Sequence, residues 1–161
     1  MKVAIIMGSD SDWPILKPAA ELLKQFGIEC EVVVASAHRT PEKVCEVVTT
    51  APQRGVGVFI SAAGAAAHLG GVIASYTTLP VIGVPINATA LNGMDALLST
   101  VQMPSGVPVA TMAINGAKNA AIFAAQIFAI SNPELQEKLH AYRKKMVEEV
   151  EGKAARVAAQ L

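Results

Sequence analysis

Aromatic rings are scarce in this chain: 4% of its 161 residues are Phe, Trp or Tyr, although 52% are hydrophobic. The interior must therefore be filled by Ala, Val, Ile and Leu, side chains that suit a parallel sheet beneath helices. Cysteine is nearly missing too. Cys30 and Cys45 have no Cys or His partner close by, which argues against both a zinc site and a disulfide framework, and they are read as reduced core or helix residues. Neither sign of charge is in excess, with 13 basic against 13 acidic side chains, so no overall field draws the chain to nucleic acid or anionic lipid. Any anion site must be local. No apolar run reaches the roughly 18–20 residues of a membrane span, and the apolar stretch after Met1-Lys2 is too short for a signal peptide. These absences lead us to expect a cytoplasmic protein that binds neither nucleic acid nor membrane. Abundant apolar residues beside few charges also point to surface buried between subunits, hence a homo-oligomer.

What is present is an alternation of strand and helix. Val3 to Met7 is apolar without polar alternation, as in a strand covered on both faces, and Trp13 to Phe26 carries apolar residues at helical spacing up to Gly27. A second unit runs from strand Cys30–Ala35 into a helix opened by Pro41, with Thr40 as its expected N-cap. A third pairs strand Gly57–Ala62 with a helix from His68 to Ser75. Then come strand Val81–Val84 between Pro80 and Pro85, a helix Met94–Val101, and a strand candidate Val107–Ala113. Two helices finish the chain, about Ala117–Ala129 and Pro133–Gln160. The pattern predicts an α/β fold, a doubly wound parallel sheet in a single domain spanning residues 1–161 and ending in a helix. A chain of this length can bury roughly 70% of its unfolded surface without staples.

In such sheets, ligands bind beyond the carboxyl ends of the strands, where helix N-termini present free N–H groups. Three loops qualify. Gly8-Ser9-Asp10-Ser11-Asp12 offers backbone donors, hydroxyls and carboxylates suited to a phosphate and a ribose diol, although a capped turn accounts for the same residues. Ser36-Ala37-His38-Arg39-Thr40-Pro41 gathers a hydroxyl, an imidazole able to move a proton near neutral pH, and a guanidinium able to clamp phosphate; a plain helix cap is the alternative. Ser61 to Gly71 is a run of the smallest side chains, which lets backbone approach a planar ligand or merely lets helix pack on sheet. His68, within it, reads as a structural or a functional histidine.

Together with Val101-Gln102-Met103-Pro104-Ser105-Gly106-Val107-Pro108-Val109, these loops resemble, in order and spacing over nearly the whole chain, the bacterial N5-carboxyaminoimidazole ribonucleotide mutases, the class I PurE family of purine biosynthesis. The resemblance implies a three-layer α/β/α fold of flavodoxin-like topology, a homo-octamer, and no metal or organic cofactor. It implies transfer of a carboxylate from N5 to C4 of a 5-aminoimidazole ribonucleotide, with His38 as the catalytic acid and base. Ser9, Asp12, Ser36 and Arg39 would hold phosphate and ribose, Ser11 would shape the first loop, and Gly64, Ala65 and Ala66 would line the imidazole pocket beside His68. The Gln102-Met103-Pro104 stretch would border the site at a subunit contact.

A sister class that uses free CO2 carries Lys where this chain has Arg39, so the arginine favours the mutase over the carboxylase. Ala62 and Ala65 replace glycines of the family's pattern and Gly70 replaces a proline. Their methyl groups are expected to narrow the pocket or to oppose a positive φ at position 65. A non-enzymatic phosphoacceptor module of the same topology would use Asp10 and Asp12, but it also wants a carboxylate where this chain reads Ile60-Ser61-Ala62. A flavin-binding protein would want more aromatic rings in these loops than Trp13 supplies.

Overall fold

The computed structural model describes residues 1–160. Five strands form one sheet, β1 (Lys2–Met7), β2 (Glu29–Val34), β3 (Val56–Gly64), β4 (Val81–Ile86) and β5 (Ala110–Thr111), all parallel and ordered β2-β1-β3-β4-β5. The helices are α1 (Trp13–Gln25), α2 (Pro41–Thr49), α3 (Leu69–Ser75), α4 (Met94–Val101), α5 (Ala117–Ala129) and α6 (Pro133–Ala158). This is the expected doubly wound α/β/α arrangement. The chain winds outward from β1 to β2 and then returns to β3 on the other side, so the strand order reverses between β1 and β3. There the loops diverge and leave a crevice at the carboxyl ends.

The apolar run of β1 is explained by burial on both faces: Val3 to Ile6 are wholly inaccessible and Met7 is 1% exposed. Ala4 and Ile6 join Val44 and Val48 of α2 and Leu69 and Ile73 of α3 in one cluster. By the two-residue period of a strand, Val3, Ile5 and Met7 point to the opposite face. Gly27, at φ 78°, closes α1: its N–H bonds Lys24 O and the N–H of Ile28 bonds Leu23 O, the double bond pattern of a left-handed helix stop.

Some expectations shift. β4 runs through Pro85 to Ile86 rather than stopping at Val84. Pro85 faces the β5 side, where pairing ends at Gly83, so its missing N–H removes no ladder bond. β5 shrinks to two residues of the expected Val107–Ala113: the chain enters from a turn at Gly106, φ 94°, and Pro108, which has no N–H to donate, stands in the part that forms no strand. Thr40 stands at the N-cap position of α2, but its hydroxyl bonds Ser36 instead of the helix. Cys45 is a half-buried residue of α2, as a helix reading allows, whereas Cys30 stands half-buried on β2 rather than in the core or a helix; both are free, and burial pushes the Cys30 thiol up to about 11.

The chain divides into two compact units, Met1–Ala124 and a second from Ala125 onward. The first contains the sheet and every loop discussed below. The second is the end of α5 with α6, whose N-terminus is capped by Asn132 Oδ1 accepting the N–H of Leu135 at 2.9 Å. Among the described residues no helix is long and apolar enough to cross a membrane.

Candidate active site

The loop after β1 folds into a single 3-10 turn, Asp10–Asp12, that runs straight into α1. Ser9 Oγ accepts the N–H of Ser11 at 3.3 Å and the Ser11 hydroxyl at 2.8 Å, so the two serines brace each other. Asp12 is 5% exposed. Burial raises its carboxyl above the ordinary range, hydrogen bonds from Ser9 and Ser11 partly offset this, and the neighbouring charge of Asp10 adds to the rise.

The loop after β2 is tied to the first by Arg39. Its Nη2 donates to Gly8 O at 3.0 Å and its Nε to Ser36 Oγ at 3.3 Å, while Ser36 Oγ also accepts the Arg39 N–H at 3.2 Å. One edge of the guanidinium thus fastens two loops, and its remaining N–H groups are left for an anion. Thr40 Oγ1 accepts the N–H of Ser36 at 2.9 Å and closes the loop on itself. His38 is exposed at the tip.

The loop after β3 explains why small residues are needed. A Cβ on Gly64 would lie 2.5 Å from Ala88 Cβ, so this wall and the loop after β4 meet with no room for a side chain. Ala65 takes φ 53°, a left-handed conformation that strains any residue bearing a Cβ. His68 precedes α3, and its Nδ1 lies 3.0 Å from His38 Nε2.

Ser9, Ser11, Asp12, Ser36, His38, Arg39, Gly64, Ala65 and Ala66 all line one cavity of about 340 Å3, closed on its far side by Ala88 and Thr89. His68 is not on that lining. It reaches the cavity through His38 and lines a neighbouring hollow with Gln102 and Met103. Two expectations about the departures from the family's pattern change. The methyl of Ala62 is fully buried and off the cavity wall, so it narrows nothing, and Ala65 adopts the positive φ despite its methyl. A Cβ at Gly70 would sit 2.8 Å from the buried Ser61 Oγ, so the missing proline leaves room for that hydroxyl.

Sequence reasoning overlooked Ala88 and Thr89, although they follow the carboxyl end of β4 and the strand-end rule covers them. It also overlooked Asp95 and Ser99 on α4, for which only the folded chain gives a signal.

The polar half of the cavity, with three serines, a buried carboxylate and a guanidinium at helix starts, can grip a phosphate and a diol. The other half, nearly free of side chains, can seat a flat ring under an imidazole. The AIR carboxylase family model matches residues 2–149. An N5-carboxyaminoimidazole ribonucleotide mutase of Pyrococcus horikoshii is 58% identical, over 96% of this chain and 88% of that protein. Its counterpart in Thermotoga maritima is 55% identical over 97% and 91%. A crystal structure of Treponema denticola PurE superposes with a TM-score of 0.85 at 28% identity, covering 96% of this chain and 97% of that one. By sequence, fold and the disposition of its loops, the chain belongs to the AIR carboxylase family.

Proposed function

We propose that this protein is an N5-carboxyaminoimidazole ribonucleotide mutase, which moves the substrate's carboxylate from N5 to C4 to give 4-carboxy-5-aminoimidazole ribonucleotide. The observation that carries the reading is that His38, Arg39 and the side-chain-poor wall Gly64–Ala66 share one cavity with Ser9, Asp12 and Ser36. Two curated relatives above 50% identity that bear this activity's name support it.

In this reading the phosphate lies against Ser9 and Ser36 at the first two helix starts, with Arg39 completing the grip, and Asp12 accepts hydrogen bonds from the ribose. The imidazole ring lies on the backbone of Gly64 to Ala66. His38, protonated, gives its proton to N5 as the N5–carboxylate bond breaks, releasing CO2 within the pocket. The electron-rich C4 adds to that CO2, and His38, now neutral, removes the C4 proton. Atoms and charge balance because the proton lent in the first step returns in the last, so one imidazole serves as acid and base. His68 holds His38 in a defined tautomer and orientation. No metal or organic cofactor is needed for these steps.

The chain works as a single PurE-like domain assembled into a homo-octamer in the cytoplasm. Leu91, Met94, Leu98 and Val101, at and along α4, are exposed apolar side chains of the kind that subunit contacts cover.

The deciding assay offers N5-carboxylated ribonucleotide in one arm and unmodified ribonucleotide with bicarbonate in the other. Faster turnover of the first is expected. Preference for the second would make the protein a CO2-dependent carboxylase, and inactivity in both arms would defeat the reading.

A further inference from the structure

Two side chains of α4, Asp95 and Ser99, lie four residues apart and therefore on one side of the helix. Ser99 Oγ accepts the N–H of Ala67 at 2.9 Å. Its single proton is best placed on Asp95 O at 2.7 Å, rather than on Ala96 O or Ala65 O at 3.3 Å, which leaves its lone pairs to Ala67. Asp95 Oδ2 accepts the hydroxyl of Thr89 at 2.8 Å, and Thr89 Oγ1 in turn accepts the N–H of Leu91 at 3.2 Å. One stripe of α4 thereby holds both the loop after β3 and the loop after β4, the two walls that meet at Gly64 and Ala88.

Neither Asp95 nor Ser99 is on the cavity lining. What they hold is: Ala65 and Thr89 line it, and Ala67 leads directly into His68. Ala65 keeps its left-handed φ only because its surroundings hold it there, and the Ser99–Ala67 bond lies two residues away. Asp95 stands in the first turn of α4, so the carboxylate that holds Thr89 is fixed to the start of the same helix that carries Ser99.

We infer that Ser99 and Asp95 are positioning residues: by fastening the Ala65–Ala67 backbone and Thr89 to one helix face, they set the spacing of the cavity walls and the seat of His68 against His38. The inference rests on the mutase reading above for what the spacing serves. Removing Ser99's acceptor leaves the phosphate grip at Ser9 and Arg39 untouched, so the loss falls on the reacting geometry rather than on ground-state binding.

The test uses the full-length protein with Ser99→Ala, Ser99→Thr and Asp95→Ala. Amide hydrogen exchange at Ala67 is followed without ligand, and turnover of the N5-carboxylated ribonucleotide is measured alongside. In Ser99→Ala the exchange is expected to quicken at least tenfold, kcat to fall about tenfold and KM to stay within about twofold, as loss of one positioning hydrogen bond implies. Ser99→Thr, which keeps the hydroxyl, restores both. Asp95→Ala provides a second route to a fall in kcat if either serine variant fails to fold. Unchanged exchange in Ser99→Ala, or faster exchange with unchanged kcat, overturns the inference. A wild-type protein inactive on this substrate overturns the functional reading and the positioning role with it, while the exchange data still show whether Ser99 seats the loop.

Discussion

His38 Nε2 lies 3.0 Å from His68 Nδ1, with the two rings almost perpendicular, at 82°. Nitrogens at that distance share one proton, so one ring donates while the other accepts, and two imidazolium rings would set N–H against N–H. His38→Asn is expected to keep the fold and lose roughly three or more orders of magnitude in kcat, the scale of general acid–base catalysis. His68→Asn is expected to cost about 10- to 100-fold in kcat, since the ring that orients His38 is gone. Full activity in the His38 variant would remove the proposed mechanism.

Arg39 joins the first two loops through Gly8 O and Ser36 Oγ while facing the cavity. Arg39→Ala should weaken ribonucleotide binding by about 2–4 kcal/mol if the guanidinium also meets the phosphate. Arg39→Lys keeps the charge but cannot span both loops, so it should recover only part of that loss. An unaffected KM in the alanine variant would move the phosphate elsewhere.

Asp12 gives a pH-dependent signature. Its folded-state carboxyl is raised by burial, so the protonated form is favoured on folding. The benefit is complete below the ordinary carboxylate value of 3.8 and is lost as pH rises through the raised value. Asp12→Asn, uncharged at every pH, should therefore melt higher than the parent at pH 7, with the gap closing as pH falls toward 3.8. The same variant should bind ribonucleotide less tightly. A melting temperature lowered equally at all pH values would show that the carboxylate is stabilising instead.

Ala65→Gly relieves the left-handed strain of a Cβ at φ 53° but adds freedom to the unfolded chain. The two effects, about 1–2 and about 0.5–1 kcal/mol, leave a net change of about 0–1.5 kcal/mol in favour of glycine. Urea unfolding of the two proteins measures it. Destabilisation by more than that amount would mean that the methyl packs usefully.

Much of the fold was legible because the signals are local. The unbroken apolar run Val3–Met7 predicted a doubly covered strand, Gly27 the end of α1, and Pro41 the start of α2. α4 and α5 begin and end where the apolar spacing places them. The reading failed where pairing partners decide. Val107–Ala113 has strand composition, yet only Ala110 and Thr111 enter the ladder with β4. Pro85 reads as a stop, yet it is tolerated because β5 ends short of it.

The site divides in the same way. Residue types and their place after strands were enough to nominate Ser9, Asp12, Ser36, His38, Arg39 and the small residues 64–66, because strand ends and helix starts are properties of a few consecutive residues. The sequence by itself thus determined the α/β alternation and the chemistry available in each loop. Only the tertiary structure decided that His38 meets His68 thirty positions away, that Arg39 ties Gly8 to Ser36, and that α4 holds two walls of the cavity. The first two contacts depend on β1 lying between β2 and β3 and the third on β3 lying beside β4, consequences of how the crossovers close the sheet, and no periodicity within one segment carries that information.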